Sequence, residues 1–202
     1  MTEIKFCGLS RPEDIRAVNA LKPEYIGFVF WEKSKRYVSP KQAAGLKKLL
    51  DPGIKAVGVF IDEEPEMVAS LLNGGIIDIA QLHGSEDAEY LQRLRRLSGK
   101  PVIKAFRVRK AKDLAAAMQC PAEMVLLDSG AGTGMCFDWS LLKEVERPFF
   151  LAGGLSTENV EQAIRQLHPF AVDVSSGIET DGMKDPEKMA AFAALVRKEE
   201  IA

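Results

Sequence analysis

The chain has 202 residues, 47% of them hydrophobic, and its 27 basic and 29 acidic side chains leave a net charge of −2. That is enough to bury a substantial core in one domain, expected to run over 1–202, and without long runs of like charge it offers no footprint for nucleic acid or an anionic membrane. Cysteines at 7, 120 and 136 are odd in number and lack C-x-x-C spacing, no apolar run approaches the roughly 20 residues of a membrane span, and Thr2-Glu3-Ile4-Lys5 does not read as a signal peptide, so a reducing cytoplasm is expected.

Apolar runs bounded by turn residues predict eight strands, at 3–7, 25–30, 55–61, 77–82, 101–106, 123–128, 148–152 and 170–174. Several, such as Tyr25-Ile26-Gly27-Phe28-Val29-Phe30, are continuously apolar, as strands covered on both faces are. Helix-period segments lie between and after them, at 11–21, 40–50, 64–72, 86–97, 111–118, 140–146, 157–167 and 185–198. Strand ends recur every 21 to 31 residues, a repeated βα unit. Eight units without interruption predict an α/β fold, a closed (β/α)₈ TIM barrel; an open doubly wound sheet is the alternative. The long loops, 31–39 and 129–139, both follow strands, on the side where this architecture gathers its chemistry.

Taken in chain order, those strand ends carry the candidate residues. Lys5-Phe6-Cys7-Gly8-Leu9 places a thiol where the first strand turns into a helix, with Ser10 as the expected N-cap. Strand alternation puts Lys5 on the face of Cys7, where a cation would lower the thiol pKa. A lone cysteine otherwise reads as a small buried hydrophobe. In Trp31-Glu32-Lys33-Ser34-Lys35-Arg36-Tyr37, Arg36 offers a donor fork suited to a planar carboxylate, although a solvated basic loop has the same composition. His83 closes Gln81-Leu82-His83-Gly84 without the neighbours a metal site needs.

Asp128 ends the apolar run Met124-Val125-Leu126-Leu127, where burial would raise its pKa toward that of a general acid; a loop-capping aspartate is the plainer reading. Gly130-Ala131-Gly132-Thr133-Gly134 with Phe137-Asp138-Trp139 reads as a mobile lid and its anchor. After strands seven and eight come Gly153-Gly154 and Ser175-Ser176-Gly177, where glycine amides and a short helix beginning near Ser176 would form a phosphate site. Strand termination alone would also explain those glycines. Cys120 and Cys136 are read as structural or incidental.

In the same order, Lys5-Phe6-Cys7-Gly8-Leu9, Gly27-Phe28-Val29-Phe30 with Lys33-Ser34-Lys35-Arg36-Tyr37-Val38, Val57-Gly58-Val59-Phe60, Gln81-Leu82-His83-Gly84, Leu126-Leu127-Asp128, Gly132-Thr133-Gly134 with Phe137-Asp138-Trp139, Leu151-Ala152-Gly153-Gly154-Leu155 and Val172-Asp173-Val174-Ser175-Ser176-Gly177 resemble segments of the phosphoribosylanthranilate isomerase family of tryptophan biosynthesis. The resemblance implies an Amadori rearrangement of N-(5-phosphoribosyl)anthranilate, a small-molecule phosphosugar substrate, no cofactor, and a monomer or homodimer. It implies Asp128 as general acid and Cys7 as general base, with Arg36 on the anthranilate carboxylate. Arg36, His83 and Asp173 are the expected substrate-binding residues, Asp173 meeting a ribose hydroxyl, and Gly153, Gly154, Ser175, Ser176 and Gly177 the phosphate-binding set. Met135-Cys136 departs from the lysine and small hydroxyl residue expected after the TGT-like turn. A related phosphosugar isomerase of histidine biosynthesis and a non-catalytic sugar-phosphate-binding barrel are the alternatives.

Overall fold

The computed structural model describes residues 2–128, 139–142 and 145–198. Its eight apolar strands are β1 (Glu3–Cys7), β2 (Tyr25–Val29), β3 (Lys55–Phe60), β4 (Ile79–Leu82), β5 (Val102–Arg107), β6 (Met124–Asp128), β7 (Phe149–Ala152) and β8 (Ala171–Val174). They pair in parallel, in sequence order, and β8 returns to β1, so the sheet is a closed barrel and not an open one. Seven helices lie among the described residues: α1 (Pro12–Leu21), α2 (Pro40–Lys47), α3 (Pro65–Asn73), α4 (Ala88–Leu97), α5 (Ala111–Gln119), α6 (Val160–Leu167) and α7 (Pro186–Lys198). None of these is long and apolar enough to cross a membrane.

Alternation along the strands divides the apolar residues between two cores. Val57, Ile79, Ile103, Leu126 and Phe150 fill the inside of the barrel, while Ile4, Phe6, Ile26, Phe60 and Leu127 face outward onto the helices. The large outward core explains the nearly unbroken apolar strands, which must satisfy both.

Local chemistry fixes the helix starts. Ser39 and Gln42 cap α2 reciprocally: Ser39 Oγ accepts from the Gln42 amide at 3.3 Å, and Gln42 Oε1 accepts from the Ser39 amide at 2.9 Å. At α1 the expected cap differs. Ser10 does not cap the helix; Asp14, inside the first turn, reaches back and accepts from the amides of Ser10 and Arg11, each at 3.0 Å. A carboxylate does this better than a hydroxyl because it can accept both amides and meet the helix's positive end.

Two further expectations change. The predicted helix 140–146 is represented among the described residues by a 3-10 turn, Trp139–Leu142. The predicted short helix near Ser176 is a turn instead, with Glu179 N donating to Ser176 O at 3.1 Å, and it leads into a two-stranded hairpin, β9 (Glu179–Thr180) and β10 (Met183–Lys184).

Behind β4 and β5 lies a buried ion pair that shapes one active-end loop. Lys104 Nζ donates to Glu86 Oε2 at 2.8 Å and to Gly84 O at 2.7 Å, while Glu86 accepts from the amides of Asp62 and Gly84. The turn after His83 is thereby tied to β5. Removing one partner strands a buried charge, so Lys104→Met should lose about 3–5 kcal/mol of stability in urea unfolding. Lys104→Met with Glu86→Gln should recover part of that loss.

Candidate active site

The C-terminal ends of the strands surround a cavity of about 450 Å³. Cys7, His83, Asp128 and Asp173 line it, with Gly153, Gly154, Ser175 and Ser176 along one side. Five of the strand ends singled out from the sequence, those of β1, β4, β6, β7 and β8, therefore meet in one place. Around the ring, the order β6, β7, β8, β1 sets Asp128, the two glycine and serine loops, and Cys7 side by side.

The Cys7 thiol is buried within the barrel, and Lys5 lies in contact with it. Lys5 Nζ donates to Asp173 Oδ1 at 2.9 Å, from β1 to the adjacent β8. Burial pulls the Lys5 ammonium down, but Asp173 and Cys7 together hold it above its ordinary value. For Cys7 the balance corrects the sequence expectation. Lys5 does pull the thiol down, with help from Lys184, but burial is the larger effect, Asp173 adds to it, and the thiol pKa is raised. Side-chain spacing alone could not give that sign, because desolvation depends on the whole barrel.

Asp128 is part-exposed, not deeply buried, and its Oδ2 stands 3.5 Å from His83 Nε2. Gln81 Nε2 lies 3.2 Å from His83 Nδ1, so the imidazole is held between β4 and β6. Arg107, paired across the sheet with Asp128, and Arg109 add positive charge to the same wall. Gln81 and Arg109 were not picked out from the sequence. Gln81 carried a signal, a polar side chain on a strand otherwise apolar.

The loops after β7 and β8 are built by backbone conformation. Gly153 and Gly154 have φ of 93° and 70°, a left-handed pair that side chains rarely tolerate. Asn159 fixes this loop by accepting from Ser156 N and donating to Gly154 O, both at 2.9 Å. Gly177 does not line the cavity. It presses against the neighbouring loop, where a Cβ would stand 2.0 Å from the carbonyl oxygen of Leu155.

Two expected substrate-binding residues already hold protein partners. Arg36 Nε and Nη2 donate to the two oxygens of Glu179, at 2.6 and 2.7 Å. Asp173 keeps Lys5 on one oxygen while bordering the cavity. The expected lid and anchor fall at 130–134 and 137–139; of these only Trp139 lies within the described residues, and Cys136 lies outside them. Cys120 packs against the helix-side core, as a structural cysteine would.

A family model for N-(5′-phosphoribosyl)anthranilate (PRA) isomerase matches residues 4–194. The chain belongs to this family. It is 46% identical over 207 residues to N-(5′-phosphoribosyl)anthranilate isomerase of Clostridium acetobutylicum, covering 98% of this chain and 99% of that one. Its fold matches the crystal structure of the Thermotoga maritima phosphoribosyl anthranilate isomerase with a TM-score of 0.91 at 36% identity, over 98% and 100% of the two chains. A structure of phosphoribosyl anthranilate isomerase in complex with reduced 1-(o-carboxyphenylamino)-1-deoxyribulose 5-phosphate matches with a TM-score of 0.88, also at 36% identity over 98% and 100%.

The contact between the loops after β7 and β8 gives a test within this family frame. Gly177→Ala must push backbone from backbone, so it should cost about 1–3 kcal/mol in denaturant unfolding. Inorganic phosphate should bind it more weakly than wild type in calorimetry.

Proposed function

We propose that this chain catalyses the Amadori rearrangement of N-(5′-phosphoribosyl)anthranilate to 1-(2-carboxyphenylamino)-1-deoxyribulose 5-phosphate in tryptophan biosynthesis, as a cytoplasmic monomer or homodimer whose single barrel domain takes up the chain. The observation that carries this reading is the shared cavity: a carboxyl on β6 and a thiol on β1 flank the paired loops of β7 and β8. A furanose held by its phosphate on those loops presents its ring oxygen toward one group and C2′ toward the other.

In the proposed mechanism Asp128 gives its proton to the ring oxygen as the C1′–O bond breaks, and the nitrogen lone pair forms the C1′=N bond of a Schiff base. The Cys7 thiolate then removes the C2′ proton, giving an enolamine. Protonation at C1′ and loss of the C2′ hydroxyl proton complete the ketose. Substrate and product are isomers, so the balance calls for no oxidant or cofactor. Gly153, Gly154, Ser175 and Ser176 hold the phosphate, with Gly177 fixing the loop. Arg36 takes the anthranilate carboxylate. His83 meets the substrate beside Asp128, and the second oxygen of Asp173 accepts from a ribose hydroxyl.

The first measurement is fluorescence loss as phosphoribosylanthranilate is consumed. Cys7→Ala and Asp128→Asn should each lose about 10²–10⁴-fold in kcat while still binding inorganic phosphate. A wild type that binds phosphate and never turns over would leave only the sugar-phosphate-binding barrel.

The raised thiol pKa gives a second test. The base is active as thiolate, so the limb of the kcat/KM profile that reports Cys7 should rise with pH and level off only on the alkaline side. Lys5→Met removes the main opposing charge and leaves Asp173 uncompensated. The climb should therefore shift further toward alkaline pH, together with the pH dependence of Cys7 alkylation by iodoacetamide. An unshifted alkylation profile removes Lys5 from the mechanism.

A further inference from the structure

Arg36 is the residue proposed to meet the substrate's aromatic carboxylate, yet one edge of its guanidinium is already engaged. The Nε and Nη2 edge makes a two-point pair with Glu179. A guanidinium is planar, so this side-on pairing turns the end-on edge, Nη1 with the other Nη2 hydrogen, away from Glu179. The side chain runs across Gly8, where a Cβ would stand 2.4 Å from Arg36 Cδ and 3.2 Å from Ser175 Oγ. Its position is thus set beside the Cys7 turn and the loop after β8.

Glu179 is itself tightly held. Its side chain is 8% exposed, and Oε1 also accepts from Lys184 Nζ at 2.6 Å. Burial raises its carboxyl, but the two cations outweigh that and hold it below its ordinary range. Lys184 is more buried still and donates in addition to Ser175 O at 2.8 Å and Ser175 Oγ at 3.2 Å, while Ser175 Oγ donates to Cys7 O at 3.0 Å. The hairpin β9–β10 supplies both charged residues, Glu179 from one strand and Lys184 from the other.

We infer that Glu179, anchored by Lys184, is a positioning residue for substrate specificity: it fixes the Arg36 guanidinium so that its end-on edge faces the carboxylate of the aromatic amine. A surface arginine would lose side-chain freedom on each binding event, whereas a clamped one has lost it on folding. A Glu179 displaced by substrate would leave Lys184 buried without its counter-charge, so the clamp stays in place as the ligand binds. This inference rests on the proposed role of Arg36.

The test compares N-(5′-phosphoribosyl)anthranilate with N-(5′-phosphoribosyl)aniline, which lacks the carboxylate, in wild type, Arg36→Met, Glu179→Gln and the double variant. Wild type should favour the carboxylate substrate, and Arg36→Met should abolish that preference. Glu179→Gln should raise KM for the carboxylate substrate by about 10- to 100-fold, with kcat changed far less and the aniline substrate nearly unaffected. The double variant should match Arg36→Met alone. Glu179→Asp, which keeps the charge, should restore part of the preference, and it serves as the primary variant should Glu179→Gln not fold.

A Glu179→Gln enzyme with wild-type preference, or one impaired equally on both substrates, overturns the inference while the role of Arg36 stands. If Arg36→Met keeps the preference, the Arg36 assignment falls and the inference with it. No turnover of either substrate by wild type would instead overturn the functional reading itself.

Discussion

The barrel closes on a buried ion pair. Lys5 on β1 and Asp173 on β8 are direct neighbours in the sheet, 168 positions apart in the chain, and their side chains meet inside the barrel at 2.9 Å. Two charges at that depth lose most of their hydration, and each is tolerable only with the other in contact. The pair therefore acts on register. Sliding β8 by one residue against β1 would turn Asp173 outward among helix-facing apolar side chains and leave a fully buried ammonium alone. The same register delivers Cys7 to the mouth beside Ser175, so closure of the fold and assembly of the site depend on one pairing.

Much of this architecture was legible in the sequence because it rests on short-range pattern. All eight strands fall within two residues of their expected ends, since apolar runs flanked by glycine and proline leave little freedom in placing them. The cavity residues were legible for a related reason: in a barrel the residue after each strand is delivered to one rim. What escaped depends on partners remote in sequence. Glu179 and Lys184 sit on strands of two residues each, too short for any periodicity, and Arg36 lies 143 positions from the carboxylate that holds it. The sign of the Cys7 shift escaped because Lys5 was visible from spacing, whereas burial by the whole barrel was not.

The two ends of the cavity are mechanically linked. Ser175 borders the proposed phosphate site, donates to the Cys7 carbonyl and accepts from Lys184, which in turn shares Glu179 with Arg36. A single hairpin thus touches, through two of its side chains, the elements assigned to the phosphate, the base and the aromatic carboxylate. Rotation of any one of these would have to break a charge-assisted contact in a poorly hydrated setting, where such contacts are strongest. Rigid placement of three groups on a substrate several bonds long is what the proposed acid–base rearrangement needs.

The same electrostatics bear on why a thiol suits the position of the proposed base. A carboxylate at residue 7 would be a second buried anion within reach of Asp173, with Lys5 already committed to the first. One of the two would have to take up a proton or open the strand pair to water. A thiol is neutral at rest, so the barrel can close around it without a further charge to desolvate. Its ionisation is then assisted by the field of Lys5 and Lys184, which both lower the thiol pKa against burial and Asp173. In this arrangement the raised pKa is a consequence of stability. The surrounding cations limit how far it rises, and once formed the thiolate is a stronger base than an ordinary one, suited to a carbon-bound proton.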